Sequence, residues 1–396
     1  MARARLPEVR PNMITLRGLT WDHPRGYQGL LAATETFARA NPEIRIHWDK
    51  HSLGHFEAHP IADLAARFDL IVLDHPFVGE AWRQACLVDC GDHAEVLDLP
   101  DLAADAVGQS FASYQYAGGL WALPIDAACQ VAAFRPDLLG ATGIEVPQAL
   151  QDARALGERR QLTIGLGGVH ALMTFFTICA NLGQPAFGRA RTEVVDDATG
   201  LAALEQLRVI LGWCPADVLG WNSIAALEAL ASRADLVYCP YVFGYSTYGQ
   251  RSGHRRPLAF AGIPGVEGRR VNGSVLGGTG LAISRRCVHV DAALRFAAHV
   301  TSRAVQREMA LQGGQPARRS AWLDDAVNAA CNDFYRHTRE TIESAWLRPR
   351  YPGYVGFQTE GGRLLESYLR SPEDARGCIA RLNALHRRAF DGASPL

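Results

Sequence analysis

Apolar and polar positions in the first eighty residues alternate between two rhythms. "MITLRGLTW" (13–21) reads as a strand, and "YQGLLAATETFARAN" (27–41) has helical spacing and stops at Asn-Pro. "IRIHW" (44–48) alternates with period two and is expected to end at Asp49-Lys50. A helical turn around "PIADLAARF" leads into "FDLIVLD" (68–74), a near-continuous apolar run of the kind a buried parallel strand shows. This βαβαβ order predicts an α/β lobe with a doubly wound sheet, whose ligands sit beyond the carboxyl ends of the strands.

Further along, "YAGGLWALPIDAACQVAAFRPDLL" (116–139) reads as a Gly-Gly turn, a strand, a Pro-Ile-Asp step and a second strand. "VPQALQDARAL" opens a helix, "QLTIGLG" (161–167) reads as a strand, and "GGVHALMTFFTICANLG" as a helix ended by Gly183. Helices are predicted over 199–213 and from Asn222 or Ser223, which can cap the second. "ADLVYCPYVFGYSTYG" (234–249) is a strand entering an aromatic loop, and "VLGGTGLAISRR" (275–286) a Gly-rich strand region. From Leu323 onward the pattern is mostly helical, broken by "RPRYPGYVG" (348–356).

Strand ends are where charge collects. Asp-His-Pro occurs twice, at Asp22-His23-Pro24 and Asp74-His75-Pro76, each directly after a strand, and Asp49-Lys50 follows the strand between them. If the three strands are parallel, Trp21, Asp22, His23, Arg25, Asp49, Lys50, Asp74 and His75 meet at one rim, a cluster able to bind charge or move protons. Each pair also has the plainer reading of a capped surface turn. Lys50 is the only lysine beside 39 arginines. Arg is planar and always charged, whereas Lys is a compact donor whose pKa falls on burial. A clamp on an anionic group, a chemical role and chance all remain open for it. Tyr241, Phe243, Tyr245 and Tyr248 follow the second-half strand as a candidate aromatic wall, and Gly277 and Gly278 would let backbone N–H groups approach a ligand. Cys129 reads as an inert core thiol and His170 as a core or helix-start histidine.

Composition narrows the classes. A chain of 396 residues with 48% hydrophobic positions has material for two lobes. A net charge of −1, with no basic block interleaved with aromatics, argues against nucleic acid as a partner. The apolar runs are broken by charge before the ~20 residues a membrane span needs, so no membrane insertion is expected. The nine cysteines are scattered without a CxxC pair, which indicates neither a zinc site nor a disulfide framework. No Walker or dinucleotide motif and no metal-ligand spacing appears, so no cofactor or metal is expected. "MARARLPEVRPN" is followed by neither an apolar core nor a small-residue cleavage site, so residues 1–12 are expected to be a disordered or misassigned extension and the protein cytoplasmic.

Several stretches together resemble the family 1 extracellular solute-binding proteins, the sugar-type receptors of ABC importers, with the type II periplasmic-binding-protein-like fold. "FARANPEIRIHW" resembles that family's helix and second-strand junction, and "FDLIVLDHPFVGEAWRQACLVDCGDH" its third strand and the helix after it. "GGLWALPIDAACQVAAFRPDLLGATGIEVP" resembles the crossover into the second lobe. "LGGTGLAISRRCVHVDAALRFAAHVTSRAVQREMALQGGQPARRSAW" resembles the return crossover and its helix pair. The likeness spans roughly 13–390. It implies two α/β lobes, 13–124 plus 278–322 and 126–276 plus 323–396, closing on one small ligand. It also implies ligand contacts from Trp21 as a stacking platform, from Asp126 at the hinge and from Arg350 in the late Pro-rich loop.

Two functions stay open at this point. The preferred one is a monomeric solute-binding protein that closes on a small polar, anionic or carboxylate/polyol ligand, with an ABC permease as partner if it is exported. The other is a cytoplasmic enzyme on the same fold, acting on a carboxylate-bearing substrate through Lys50, His23, His75 and Asp74.

Overall fold

The computed structural model describes residues 13–188, 192–250, 256–268, 271–372 and 374–392. The extension 1–12 and whatever it was expected to do lie outside the described residues. The principal elements in chain order are β1 (Ile14–Trp21), α1 (Pro24–Ala40), β2 (Ile44–His51), α2 (Leu53–Ala58), β3 (Leu70–Leu73) and α3 (Val78–Arg83). There follow β4 (Leu123–Phe134), α4 (Val169–Asn181), α5 (Asp197–Gly212), β5 (Tyr238–Phe243), β6 (Ala259–Ala261) and β7 (Leu276–Ile283). The chain closes with α6 (Val290–Thr301), α7 (Arg303–Leu311), α8 (Tyr354–Arg370) and α9 (Ala375–Asp391).

The βαβαβ opening is borne out. β1 pairs in parallel with β2 and with β3, so the carboxyl ends of all three strands share one rim. α1 forms where it was expected, three residues earlier: Pro24 occupies its first turn, and the His23 side chain caps it by accepting from the Arg25 N–H. Leu30, Ala33 and Phe37 place its apolar stripe on the sheet, while Gly29 lets it approach α7, since a Cβ there would stand 2.9 Å from the Met309 carbonyl oxygen.

One seven-stranded mixed sheet serves both lobes of the α/β fold. Its order is β2-β1-β3-β7-β4-β5, with β6 also on β4. β4 is a single strand rather than two: its first half lies antiparallel to β7, from Leu123↔Leu281 to Cys129↔Leu276, and its second half to β5 and β6. A shift in register between Pro124 and Asp126 absorbs the Pro-Ile-Asp step without ending the strand. β3, buried throughout, pairs antiparallel with β7. Residues 161–167, expected as a strand, make only an isolated bridge, Leu162↔Tyr238. Their backbone is instead tied by Gly165 and Gly167 packing on the Gly220–Asn222 backbone. β2 runs on to His51, past the expected stop at Asp49-Lys50.

Buried side chains of the described residues form three separate cores. One gathers β1, β3, α1 and α6 around Leu16, Ile71 and Phe296; a second gathers α4, α5, α8 and α9 around Phe175, Leu204 and Leu382. A third, around Val131, Trp322 and Phe334, fills the space beside β4. No helix among the described residues is long and apolar enough to cross a membrane.

The crossing of β4 and β7 depends on Gly278, whose φ is +112° and where a Cβ would lie 2.4 Å from the Asp126 carbonyl oxygen. Gly278→Ala is expected to cost about 3 kcal/mol or more, through backbone strain plus the clash. Gly118→Ala, at φ +86° with open space around it, is expected to cost about 1 kcal/mol. Urea unfolding of the two variants checks this; equal losses would show that the crossing is not tightly packed.

Candidate functional site

Beyond the rim of β1, β2 and β3, Trp21, Arg25, Phe56, Glu57 and Asp74 face Gly277, Gly278 and Thr279 of β7 and, from the other lobe, His170, Phe243, Tyr245, Arg348 and Gln358 around one cavity of about 70 Å³. On that measure a water needs roughly 10–15 Å³, so the space suits roughly five waters or one small solute.

Arg25 stands at the start of α1, where helix geometry turns it toward the crossover. Its Nε and Nη2 donate to the two Asp126 oxygens at 2.9 and 2.5 Å, its Nη1 donates to the Gly244 carbonyl at 3.1 Å, and its plane lies 4.5 Å from the Tyr245 ring centre. Burial works against the charge, but Asp126 outweighs it and holds Arg25 above its ordinary value. At Asp126 burial wins narrowly the other way and raises the carboxyl against the pull of Arg25, but the bidentate geometry is that of an ion pair. A second arginine is held the same way from the opposite side: Arg348 Nη2 donates to both Asp74 oxygens at 2.8 and 2.7 Å, and its Nη1 donates to Gln358. Burial pushes Asp74 up, but Arg348 and His75 prevail and bring it down to about 2.

The remaining titratable groups are neutralised by their surroundings. Burial, then the Arg348 charge, takes His170 down to about 4, and the same two causes dominate at His75, also about 4. Glu57 goes the other way: burial and the nearby Asp74 carboxylate raise it to about 8, against the pull of Arg348. His170 Nδ1 meets Ser223 Oγ at 3.3 Å, while its Nε2 stops 3.6 Å from Glu57 Oε1. Buried polar atoms without a hydrogen-bond partner collect here: Trp21 Nε1, His170 Nε2, Thr279 Oγ1 and Arg348 Nε all belong to residues of the cavity wall. Such atoms are costly unless something answers them.

Of the residues singled out from the sequence, Trp21, Arg25, Asp74, Phe243, Tyr245, Gly277 and Gly278 line the cavity, and Asp126 stands directly behind Arg25. His23 and His75 are buried beside it, His23 as the α1 cap edge-on to Tyr245, His75 with Nδ1 3.1 Å from Asp74. The rest are elsewhere. Because β2 is an edge strand that continues to His51, Asp49 points outward to Arg17 at 3.0 Å and Lys50 to Asp22 at 2.8 Å, all four side chains being largely exposed. The hydrogen bond to Asp22 raises the Lys50 pKa, the opposite of what a neutral-amine base needs. Tyr241 is in the second-lobe core, donating to the Pro264 carbonyl. Arg350 reaches away to the carbonyls of Ala112 and Ser113. All nine cysteines are unpaired, and burial pushes the Cys129 thiol up to about 12, leaving it inert. No group of three potential metal ligands occurs among the described residues.

Sequence reasoning passed over Glu57, Phe56, Arg348, Ser223, Thr279 and Gln358 and gave His170 a core role. Arg348 stands two residues from the arginine that was chosen, in the same Pro-rich loop. Glu57 carries no local signal, since its setting arises from two lobes meeting.

No family model and no curated protein matches the sequence. Solved structures do. Maltose-bound T. maritima MalE3 superposes with a TM-score of 0.82 at 17% identity, covering 95% of this chain and 99% of that one. An ABC-transporter solute-binding protein from Agrobacterium radiobacter K84 in complex with ribitol gives 0.80 at 18%, covering 96% and 100%. UgpB from Mycobacterium tuberculosis in complex with glycerophosphocholine gives 0.77 at 16%, covering 96% and 98%. The chain thus has the two-lobed fold of ABC-transporter solute-binding proteins, as the resemblance implied. The same likeness overturns the cytoplasmic placement: the matched structures are of solute-binding proteins, a class typically periplasmic or extracellular, and a cytoplasmic setting is not supported beside them.

Two outcomes are expected. Arg25→Met should cost about 3–5 kcal/mol by leaving the Asp126 carboxylate buried alone, and adding Asp126→Leu should restore most of it; failure of the double variant to recover in urea unfolding would refute the account. His75 and His170 take up protons more readily unfolded than folded. Each should therefore lower stability by on the order of 1.4 kcal/mol per unit as pH drops from about 6.5 to 4, while Glu57, protonated in the fold up to about 8, works the other way with a similar slope down to about 4.5; His75→Gln should reduce the net fall.

Proposed function

We propose that this protein is a solute-binding protein which encloses one small hydroxylated solute between its lobes, in the manner of an ABC-importer receptor. The observation that carries the reading is the set of unanswered buried polar atoms, Trp21 Nε1, His170 Nε2, Thr279 Oγ1 and Arg348 Nε, gathered on the wall of one cavity between the lobes. A ligand with several hydroxyls answers such atoms, and the aromatic faces of Trp21, Phe56 and Phe243 offer its C–H edges a flat contact. Space for roughly five waters corresponds to on the order of 150 Å³ of solute, the bulk of a five- or six-carbon polyol or a monosaccharide.

The anionic ligand expected from the sequence is less well supported than a neutral one. Arg25 and Arg348 are both committed to carboxylates, and Lys50 is engaged at the rim by Asp22. An incoming carboxylate would find each of these cations already paired with a carboxylate and would meet the ionised Asp74. The solved proteins of this fold named above were determined with maltose, ribitol and glycerophosphocholine, which accords with a polyhydroxylated solute.

Closure would turn about the crossovers at Pro124–Asp126 and Gly277–Gly278, with Arg25, Glu57 and Asp74 of the first lobe meeting Gly244, His170 and Arg348 of the second. The lobes would divide as 13–124 plus 278–322 and 126–276 plus 323–396.

A thermal-shift panel of sugars, polyols and small carboxylates tests the reading, followed by calorimetry on each stabilising compound. A hydroxylated compound is expected to raise Tm and the carboxylates are not. Trp21→Ala should weaken its binding tenfold or more, whereas Lys50→Met should leave it within about twofold. Tight binding of a simple carboxylate, lost on Lys50→Met, would reverse the assignment.

A further inference from the structure

Counting charge around the cavity isolates one group. Arg25 is matched by Asp126 and Arg348 by Asp74, both at bidentate distance. His170 is buried and lies beyond hydrogen-bond distance of Glu57. Glu57, on α2, lines the cavity with a quarter of its side chain accessible and has no arginine or lysine within ion-pair distance among the described residues. The groups that face it are Asp74 and Arg348, already paired with each other, His170 at 3.6 Å and the Tyr245 hydroxyl. The cavity therefore has one carboxyl to spare and no cation to spare. Around the same space stand the rings of Trp21, Phe56 and Phe243, and cations are attracted to aromatic faces. The Tyr245 face is already covered by Arg25.

We propose that the solute carries a protonated nitrogen, as an amino-bearing polyol or sugar, and that this cation pairs with Glu57 beside the Trp21, Phe56 and Phe243 rings. The inference rests on the solute-binding reading and specifies its ligand. Pairing has a chemical consequence. Raised by burial and Asp74, the Glu57 carboxyl holds its proton at pH 7, and an incoming ammonium converts it to carboxylate. Each binding event then releases on the order of one proton to the buffer.

The test uses matched pairs that differ by one group: 1-amino-1-deoxysorbitol against sorbitol, 1-amino-1-deoxyribitol against ribitol, and glucosamine against glucose. Each is titrated calorimetrically into the whole protein at pH 7, once in phosphate and once in MOPS, whose ionisation enthalpies differ and neither of which is an amino-polyol. At least one amine is expected to bind tenfold or more tightly than its hydroxyl partner, with an enthalpy that changes between buffers by close to one proton's worth. Glu57→Gln should fold normally, bind the amine no better than the alcohol and remove the buffer dependence. If the hydroxyl partners bind as well as or better than the amines, or Glu57→Gln leaves the preference intact, the cation proposal is overturned while solute binding stands. If none of the six compounds binds, both fail.

Discussion

The guanidinium of Arg25 is the point on which the rest of the interior turns. A charge sealed between two lobes is tolerated only when well paired, and this one spends three of its five N–H donors and one face: two donors to Asp126 on the crossover, one to the Gly244 carbonyl in the second lobe, its face to Tyr245. Its placement follows from α1, whose start is fixed by the His23 cap and Pro24. Arg348 repeats the arrangement from the second lobe by gripping Asp74 at the end of β3. Together the two pairs draw the lobes onto one another and leave the space between them without net cationic character.

That commitment sets the electrostatics of the site. The histidines around it stay neutral because they are buried near arginines, the thiol of Cys129 is out of reach of ionisation, and the lysine that seemed the sharpest candidate sits in water. What is left is a wall of aromatic rings and paired charges with a few directional donors and acceptors and the raised carboxyl of Glu57.

Much of this was legible before the structure. The period-two and near-continuous apolar runs located β1 and β3, and the rule that ligands lie beyond parallel strand ends brought out Trp21, Arg25 and Asp74; the tight crossover was marked by Gly277 and Gly278. The failures have separate physical reasons. Asp49 and Lys50 were misjudged because a period tells which face a residue takes but not whether its strand lies at the edge of the sheet. Tyr241 and Tyr245 belong to one aromatic run, and only packing decides that the first goes to the core and the second to the cavity. Glu57 and His170 owe their interest to lying 3.6 Å apart across a boundary that no local pattern records.

The shared strand β4 has a consequence for how the chain is made. β3 has its outer neighbour β1 at hand as soon as both are synthesised, but its inner neighbour is β7, where Leu70 must wait for Ile283. β4 waits for the same partner along its first half. During synthesis from the N-terminus, the first lobe therefore stands with an open apolar edge while the whole of the second lobe's first portion is added. Pairing across such separations is slow because loop closure precedes any reward. The nascent chain is thus longest-lived in its least protected form just before residue 283 emerges, which is when a chaperone that shields strand edges would do most good.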